Sequence, residues 1–184
     1  MATRKASAYR FWKRPFTRRS KVRSKGYIKT VPPMHIFKFV MGNSRKFFEH
    51  KYPFVARIIC DELVQVRDIA LESARRQLHR EIEVNIGMDY YMSVAAYPHH
   101  VLRENKMITG AGADRMQTGM SHSFGSNVGR AAQIKEGQPL FVIGLPSADA
   151  LVKFREYFHF TKQKLPCHTH LEVQKFDVKP EEED

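Results

Sequence analysis

The sequence predicts an α+β fold, a two-layer sandwich in which a mixed or antiparallel sheet packs against two helices. Three observations support this: several short runs of alternating apolar residues, two segments with apolar residues three and four apart, and no regular alternation of strand and helix. The 184 residues suffice for one such domain with a buried core. We expect an extended basic arm at 1–33, a single domain at 34–176 with a long glycine-rich internal loop at 104–128, and an acidic tail at 177–184.

The first half of the domain is predicted to contain two strands and a helix. Residues 35–42 alternate as a strand does, a polar turn follows at 42–44, and the β-rich run 52–60 forms a second strand. Asp61 is then a candidate N-cap for a helix over 62–82, where apolar residues recur at helical spacing. The buried stripe of this helix would consist of Leu63, Val66, Ile69, Ala70, Ala74 and Leu78. Its opposite, solvated face would contain Arg67, Arg75, Arg76 and Arg80.

The second half is predicted to contain further strands and a second helix. The β-like segment 90–103 runs up to the glycine-rich loop, and beyond the loop 129–145 forms two short strands joined by a turn at Gly137. Ser147 caps a helix with one apolar face. That face consists of Leu151, Phe154, Phe158 and Leu165. The alternating segment 168–176 forms the last strand.

Positive charge is concentrated at the N-terminus. The chain has a net charge of +12, and residues 1–30 contain eleven basic residues and no acidic one. Removing these eleven from the 31 Lys and Arg leaves 20 basic against 19 acidic residues, so the rest of the chain is nearly neutral. A segment of this kind cannot bury enough apolar surface to offset its conformational entropy. We therefore expect the arm to order only on a polyanion.

Aromatic side chains lie between the charges of the arm. Tyr9, Phe11, Trp12 and Phe16 can stack on unpaired bases, while the Lys and Arg side chains neutralise phosphates. An isolated basic run is usually a solvated cluster, but the interleaved rings favour RNA or DNA binding. The long glycine-rich loop fits an extension inserted into a folded RNA better than a groove-reading helix. The candidate contacts in the arm are Arg4, Lys5, Tyr9, Arg10, Trp12, Lys13, Arg14, Arg18, Arg19, Lys21, Arg23 and Lys25.

Other functional classes find little support in the sequence. Cys60 and Cys167 are too few for a disulfide framework and fit a reducing compartment. The histidines at 99–100 and the cluster at 167–170 lack the two spaced ligand pairs of a structural zinc site, so we expect no metal and no other cofactor. Neither paired carboxylates nor a completed phosphate-binding glycine motif is present, which argues against an enzyme. No apolar run is long enough for a membrane span. A basic organelle transit peptide is the alternative interpretation of the N-terminus.

Several long runs resemble a known family. The residues that show the resemblance are YPHHVLRENKM (97–107), GAGADRMQTGM (110–120), SFG (123–125), GRAAQIKEGQ (129–138) and, in the arm, AYRFWKRPFTR (8–18). They closely resemble the universal large-ribosomal-subunit family known as L ten-e in archaea and eukaryotes, which is homologous to bacterial L sixteen. The resemblance covers most of residues 4–176.

The resemblance implies a hammerhead-type fold and a structural, non-enzymatic role in the large subunit of the cytoplasmic ribosome. The implied partners are the large-subunit rRNA, including the small rRNA of the central protuberance, the tRNA acceptor end and neighbouring ribosomal proteins. The arm residues given above would bind rRNA. The loop would point towards the tRNA near the peptidyl-transferase region, through Arg103, Lys106, Gly110, Gly112, Asp114, Arg115, Gln117, Gly119 and Arg130.

Three alternatives stay open on the sequence. The first is a free-standing RNA-binding ribosome assembly factor or RNA chaperone with the same electrostatics. The second is a small enzyme that carries a basic targeting peptide. For the loop itself, the alternative is a surface segment without function, because long loops are usually either functional or disordered.

Overall fold

A computed structural model describes residues 5–12, 28, 30–104 and 126–176, and these residues form two antiparallel sheets and three α-helices. The strands are β1 (Val40–Gly42), β2 (Phe54–Cys60), β3 (Val64–Arg67), β4 (Tyr91–Val94), β5 (His100–Glu104), β6 (Ser126–Ile134), β7 (Pro139–Leu145) and β8 (Thr169–Lys175). The helices are α1 (Ser44–Phe48), α2 (Asp68–Asn85) and α3 (Ala148–Lys162), and a short 3-10 helix, Ala6–Tyr9, lies in the arm.

The larger sheet has five strands in the order β1-β4-β7-β2-β8, and every neighbouring pair is antiparallel. Alternation along β2 places Ala56, Ile58 and Cys60, all fully buried, on its inner face. Helix α3 packs against β2 and β7 of this sheet, where Phe154 is fully buried. Arg57 lies on the opposite face of β2 and is only half-buried. The larger sheet therefore has one face in the core and a second face that is only partly covered, since Val55 and Ile59 beside Arg57 are buried.

The smaller sheet has three strands in the order β3-β6-β5, also antiparallel. Helix α2 contacts β3, β6 and helix α3, so one buried cluster joins both sheets and both long helices. The arm continues this sheet at its β3 edge. Phe11 forms a bridge with Val64, and the N–H of Gln65 donates to the carbonyl of Arg10 at 3.0 Å.

The start of α2 differs from the sequence-based prediction. The helix begins at Asp68, not at residue 62, because Val64–Arg67 pairs with β6 as a strand. Leu63, predicted in the buried stripe, is 57% exposed, and Asp61 caps no helix. Arg67 and Arg75, predicted on the solvated face, are buried. The spacing of Leu63 and Val66 fits a helix, but pairing with a distant strand decides the conformation of 64–67.

Two further differences lie near the N-terminal end of the domain. Of the strand predicted over 35–42, only Val40–Gly42 pairs with a neighbour, and helix α1 follows where a turn was predicted. The side chain of Asn43 caps α1 by accepting from the N–H of Lys46 at 3.2 Å. The described residues thus contain three α-helices, one more than predicted.

The other element predictions are confirmed. Strands β2, β4, β5, β6, β7 and β8 lie within or close to their predicted segments. The Ser147 hydroxyl caps α3 by accepting from the N–H of Ala150, and Gly87, with φ of +101°, ends α2. The α+β class is confirmed, whereas the two-layer arrangement and the hammerhead detail stay predictions. No helix among the described residues has the length and apolarity that crossing a bilayer requires.

Candidate nucleic-acid interface

Residues 5–12 of the arm lie against the body beside the first stem of the predicted loop. The hydroxyl of Tyr9 donates to Glu104, the last residue of β5, at 2.7 Å. The guanidinium of Arg67 lies 4.9 Å from the centre of the Tyr9 ring, in cation–π geometry. Arg10 forms an ion pair with Glu62, and its hydrogen bond lowers the pKa of that carboxyl. The expectation that the arm orders only on a polyanion is therefore wrong for these residues, because the body supplies their partners.

The C-terminal end of the arm lies against the second stem of the loop. The guanidinium of Arg130, on β6, donates to the carbonyl of Pro32 at 2.8 Å. The side-chain amide of Asn127 donates to the carbonyl of Thr30. Strands β5 and β6 pair with each other through Glu104 and Ser126, where the described chain leaves and re-enters the loop. Two described segments of the arm, 5–12 and 30–32, thus contact the two strands that flank the predicted loop.

The structure places six of the predicted contact residues. Tyr9 and Arg10 of the arm bond to the body, and Arg130 of the body bonds to the arm, so all three position the arm and are not freely presented. Lys5 and Arg103 are exposed, and Trp12 is half-buried. The other predicted residues lie outside the described residues: Arg4, Lys13, Arg14, Arg18, Arg19, Lys21, Arg23, Lys25, Lys106, Gly110, Gly112, Asp114, Arg115, Gln117 and Gly119.

A second basic surface lies along helix α2. It is an open groove of about 360 Å³, and we call it the α2 groove. Its lining residues include five basic or histidine side chains and one carboxylate: Lys38, Arg75, Arg76, His79, Arg80 and Glu83. The exposed ring of Phe37 lines the same groove. Glu72 beneath the groove and Glu83 at its edge offset part of this charge, and the remaining excess of cations favours an anion such as a phosphate group.

Glu72 lies beneath the α2 groove and holds two of its arginine side chains in place. It accepts two hydrogen bonds from Arg75 at 2.7 Å and one from Arg76 at 2.8 Å, at positions one helical turn away. Burial acts to raise the pKa of Glu72, but the hydrogen bonds from both arginines outweigh it and the net pKa is lowered. The carboxylate therefore stays ionised and holds both guanidinium groups in place. Arg76 also lies 5.7 Å from the centre of the Phe37 ring.

Sequence reasoning found part of this groove. The helical spacing identified Arg76 and Arg80 as solvated. It missed Lys38 and Phe37, because residues 35–39 were predicted as a strand, and only the fold brings them beside α2. The pattern of the sequence contains no local signal for that contact.

The suspected metal-ligating residues have partners of another kind. His170 pairs with Asp61, and the Nε2 atom of His168 lies 3.5 Å from the Glu62 carboxylate. Cys60 is buried next to Cys167, whose thiol lowers the pKa of Cys60 to about 7 through a hydrogen bond. Within the part of the chain that the structure describes, no three His, Cys, Asp or Glu side chains are arranged to hold a metal ion.

Comparison with known proteins decides the family. A family model described as ribosomal protein L16p/L10e matches residues 12–172. The chain belongs to this family. The large ribosomal subunit protein uL16 of Pyrobaculum arsenaticum is 38% identical over 95% of this chain and 93% of its own length. That of Hyperthermus butylicus is 39% identical over 86% of this chain and 83% of its own length, and that of Methanospirillum hungatei is 36% identical over 82% and 86%.

Membership of the L16p/L10e family confirms the resemblance seen in the sequence. It also makes the chain a ribosomal protein and not an enzyme, which agrees with the lack of a catalytic pattern in the sequence. The match begins within the arm and ends within β8, so it spans both loop stems and the α2 groove. The surfaces described above are therefore those of an L16p/L10e protein.

Proposed function

We propose that the chain is a structural constituent of the large subunit of the cytoplasmic ribosome, where it binds rRNA and supports tRNA positioning near the peptidyl-transferase centre during translation. One observation supports this most directly: two described segments of an arm with eleven basic and no acidic residues contact the strands that flank the predicted loop. RNA that binds the arm is therefore held next to the loop. Related proteins are named as large-subunit proteins, and the hammerhead-type fold belongs to the same proposal.

The arm and the α2 groove form the proposed rRNA-binding surface. Each Lys or Arg that meets a phosphate releases condensed counterions, so the arm dominates affinity and makes it steeply dependent on salt. The α2 groove adds cations on a helix, at positions fixed by Glu72. The proposed partners are the large-subunit rRNA, including the small rRNA of the central protuberance, and neighbouring ribosomal proteins.

The loop between Glu104 and Ser126 is the proposed route to the tRNA acceptor end. Its glycines let the backbone approach RNA closely, and its polar side chains supply contacts. The proposed contacts are Lys106, Arg115 and Gln117, together with Arg103 at the stem. Arg130 contributes by holding Pro32 of the arm beside the second stem.

Sedimentation separates this function from that of a free-standing assembly factor. Mature large subunits would be washed in high salt, and the amount of the chain per subunit would be measured by mass spectrometry. We expect one copy per washed subunit. Loss in the wash, or presence only on precursor particles, would support the assembly-factor alternative and reject the structural role.

Deleting residues 110–119 tests the role of the loop. The paired stems at Glu104 and Ser126 and the docked arm are left intact, so we expect the deleted chain to join the subunit. Slower tRNA accommodation or impaired subunit maturation should follow, because the contacts to tRNA are lost. A Glu136→Ala variant in the exposed turn after β6 serves as the control. Normal translation rates in the deletion strain would reject this role.

A further inference from the structure

A second concave surface lies on the outer face of the five-stranded sheet, and we call it the α1 groove. It has a volume of about 200 Å³ and is lined by Phe47, Phe48, His50, Tyr52, Val55, Arg57 and Phe176. Phe47 of α1 stacks on Tyr91 of β4 with ring centres 3.9 Å apart. A Cβ on the glycine at 144 would lie only 3.1 Å from Phe47 and 3.0 Å from Tyr52. The missing side chain of Gly144 thus lets the floor of the groove pack onto the sheet.

The rim of the α1 groove consists of rings that reach solvent. Phe48 is 72% exposed and Phe176 is 39% exposed, although both are large and apolar. Phe48 is nearly perpendicular to Phe47, and the His50 ring lies 6.4 Å from that of Phe176. Exposed rings around a concave floor form a surface on which a flat group can stack.

The end of helix α1 places His50 at the rim of the α1 groove. His50 has φ of +56° and is the one non-glycine residue with positive φ in the described part of the chain. This conformation ends α1, because the N–H groups of His50 and Lys51 donate to the carbonyls of Phe47 and Lys46 in a C-terminal capping motif. Here it places the histidine ring at the edge of the groove, next to Phe176.

Arg57 supplies an unused positive charge inside the α1 groove. It is half-buried, yet it makes no hydrogen bond or ion pair with any residue that the structure describes. Glu172 is directly opposite on β8, but its carboxylate accepts from Gln174 and forms no ion pair with Arg57. The guanidinium is therefore available to an anionic ligand in the groove.

The size and charge of the α1 groove restrict its ligand. At about 200 Å³ it is smaller than the roughly 300–1,000 Å³ pockets that bury drug-sized molecules, so one flat group fits better than a whole small molecule. Among the residues that the structure describes, its lining contains the cation of Arg57 and no carboxylate. A nucleotide combines a flat ring with a phosphate, whereas an apolar protein side chain would leave Arg57 without a partner.

We propose that the α1 groove binds one unpaired nucleotide of RNA, with the base against the rings of Phe48, His50 and Phe176 and the phosphate at Arg57. The inference rests on the proposed function, because the nucleotide belongs to the RNA of the subunit. The site lies on the larger sheet, whereas the docked arm lies on the smaller one. It therefore gives the body a contact to single-stranded RNA that does not depend on the arm.

Photo-crosslinking in intact subunits tests this proposal. The full chain would carry Phe48→p-benzoylphenylalanine, a substitution at an exposed position, and large subunits would be purified before irradiation. Presence of the chain on the subunit is checked first and reports on the proposed function alone. We then expect an adduct that ribonuclease reduces to a single nucleotide on the chain. An adduct to protein, or no adduct in subunits that contain the chain, would reject nucleotide binding in the α1 groove and leave the proposed function unaffected.

Two further variants make the test specific. Adding Arg57→Gln should lower the yield of the RNA adduct about ten-fold, which is the effect of one lost hydrogen bond to a charged group. The midpoint of thermal unfolding should stay unchanged, because the substitution removes no described contact within the protein. The matched control is Phe160→p-benzoylphenylalanine, since Phe160 is 51% exposed on α3 and also lies beside a histidine ring. Equal RNA yields at positions 48 and 160, or an unchanged yield after Arg57→Gln, would reject a built nucleotide site.

Discussion

Glu72 shows how one buried residue fixes a basic surface. Its side chain is 6% exposed and bonds to Arg75, which is 10% exposed, and to Arg76, which is 62% exposed. The first ion pair is buried and the second reaches the groove. A single carboxylate therefore anchors the floor of the α2 groove and orients a cation at its surface.

Replacing Glu72 with glutamine should destabilise the protein by about 3 kcal/mol, because breaking a buried pair leaves the Arg75 charge uncompensated. Urea unfolding measures the change in the free energy of unfolding. Glu49→Gln is the control, since its partner Arg45 is 88% exposed and solvent screens such a surface pair. Equal losses in the two variants would contradict the role given to Glu72.

His100 makes stability dependent on pH. Burial, and to a lesser degree the charge of His99, lower the pKa of His100 below its usual 6.5. The unfolded chain therefore binds the proton first as pH falls, so the free energy of unfolding decreases below about pH 6.5. The difference in unfolding free energy between pH 7.5 and 5.5 should shrink in His100→Asn. The variant His159→Asn, at an exposed position, should keep the wild-type difference in unfolding free energy between the two pH values. If His100→Asn also kept this difference, His100 would not be the residue that makes stability depend on pH.

At the scale of elements, the sequence predicts the strands and helices that the local periodicity of apolar residues determines. Strands β2, β7 and β8 and helix α3 follow from alternation, helical spacing and the Ser147 cap. The prediction of a helix at 64–67 was wrong. The apolar spacing there suits both a helix and a strand, and the strand with which it pairs, β6, is more than sixty residues away along the chain. Helix α1 has five residues, too few for a periodic pattern, although Asn43 was a usable capping signal.

The packing of α1 on the sheet depends on Gly144. A Cβ at this position would meet Tyr52 at 3.0 Å, so Gly144→Ala should displace the ring and cost about 1–3 kcal/mol, as overpacking does. Gly129→Ala on β6 is the control, because its Cβ would meet the nearest atom, on Arg67, at an ordinary 3.6 Å. Thermal unfolding of both variants checks this, and a loss at 129 as large as that at 144 would contradict the packing argument.

The candidate site was predicted less completely than the fold. Net charge and interleaved rings predict that the arm is an RNA-binding segment, since both are properties of composition. The α1 and α2 grooves were missed, because each joins residues from distant segments, such as Phe48 with Phe176 and Phe37 with Arg76. The docking of Tyr9 and Arg10 was missed for the same reason, as Glu104 and Glu62 are far along the chain.

At the scale of the whole molecule, the folded body and the excess positive charge lie in different parts of the chain. The body is nearly neutral and supplies fixed positions, while the arm contains most of the excess positive charge. The body fixes the arm at both ends, through residues 5–12 and 30–32. The central claim is that the charges between these ends neutralise rRNA phosphates.

The salt dependence of rRNA binding by the purified full chain tests this claim most directly. The variant replaces seven basic residues with glutamine and keeps the docked Tyr9 and Arg10: Lys13, Arg14, Arg18, Arg19, Lys21, Arg23 and Lys25. Each lost phosphate contact reduces the slope of log affinity against log salt by about 0.7 to 0.9, so the variant should be shallower by about 5 to 6. An unchanged slope would contradict the account.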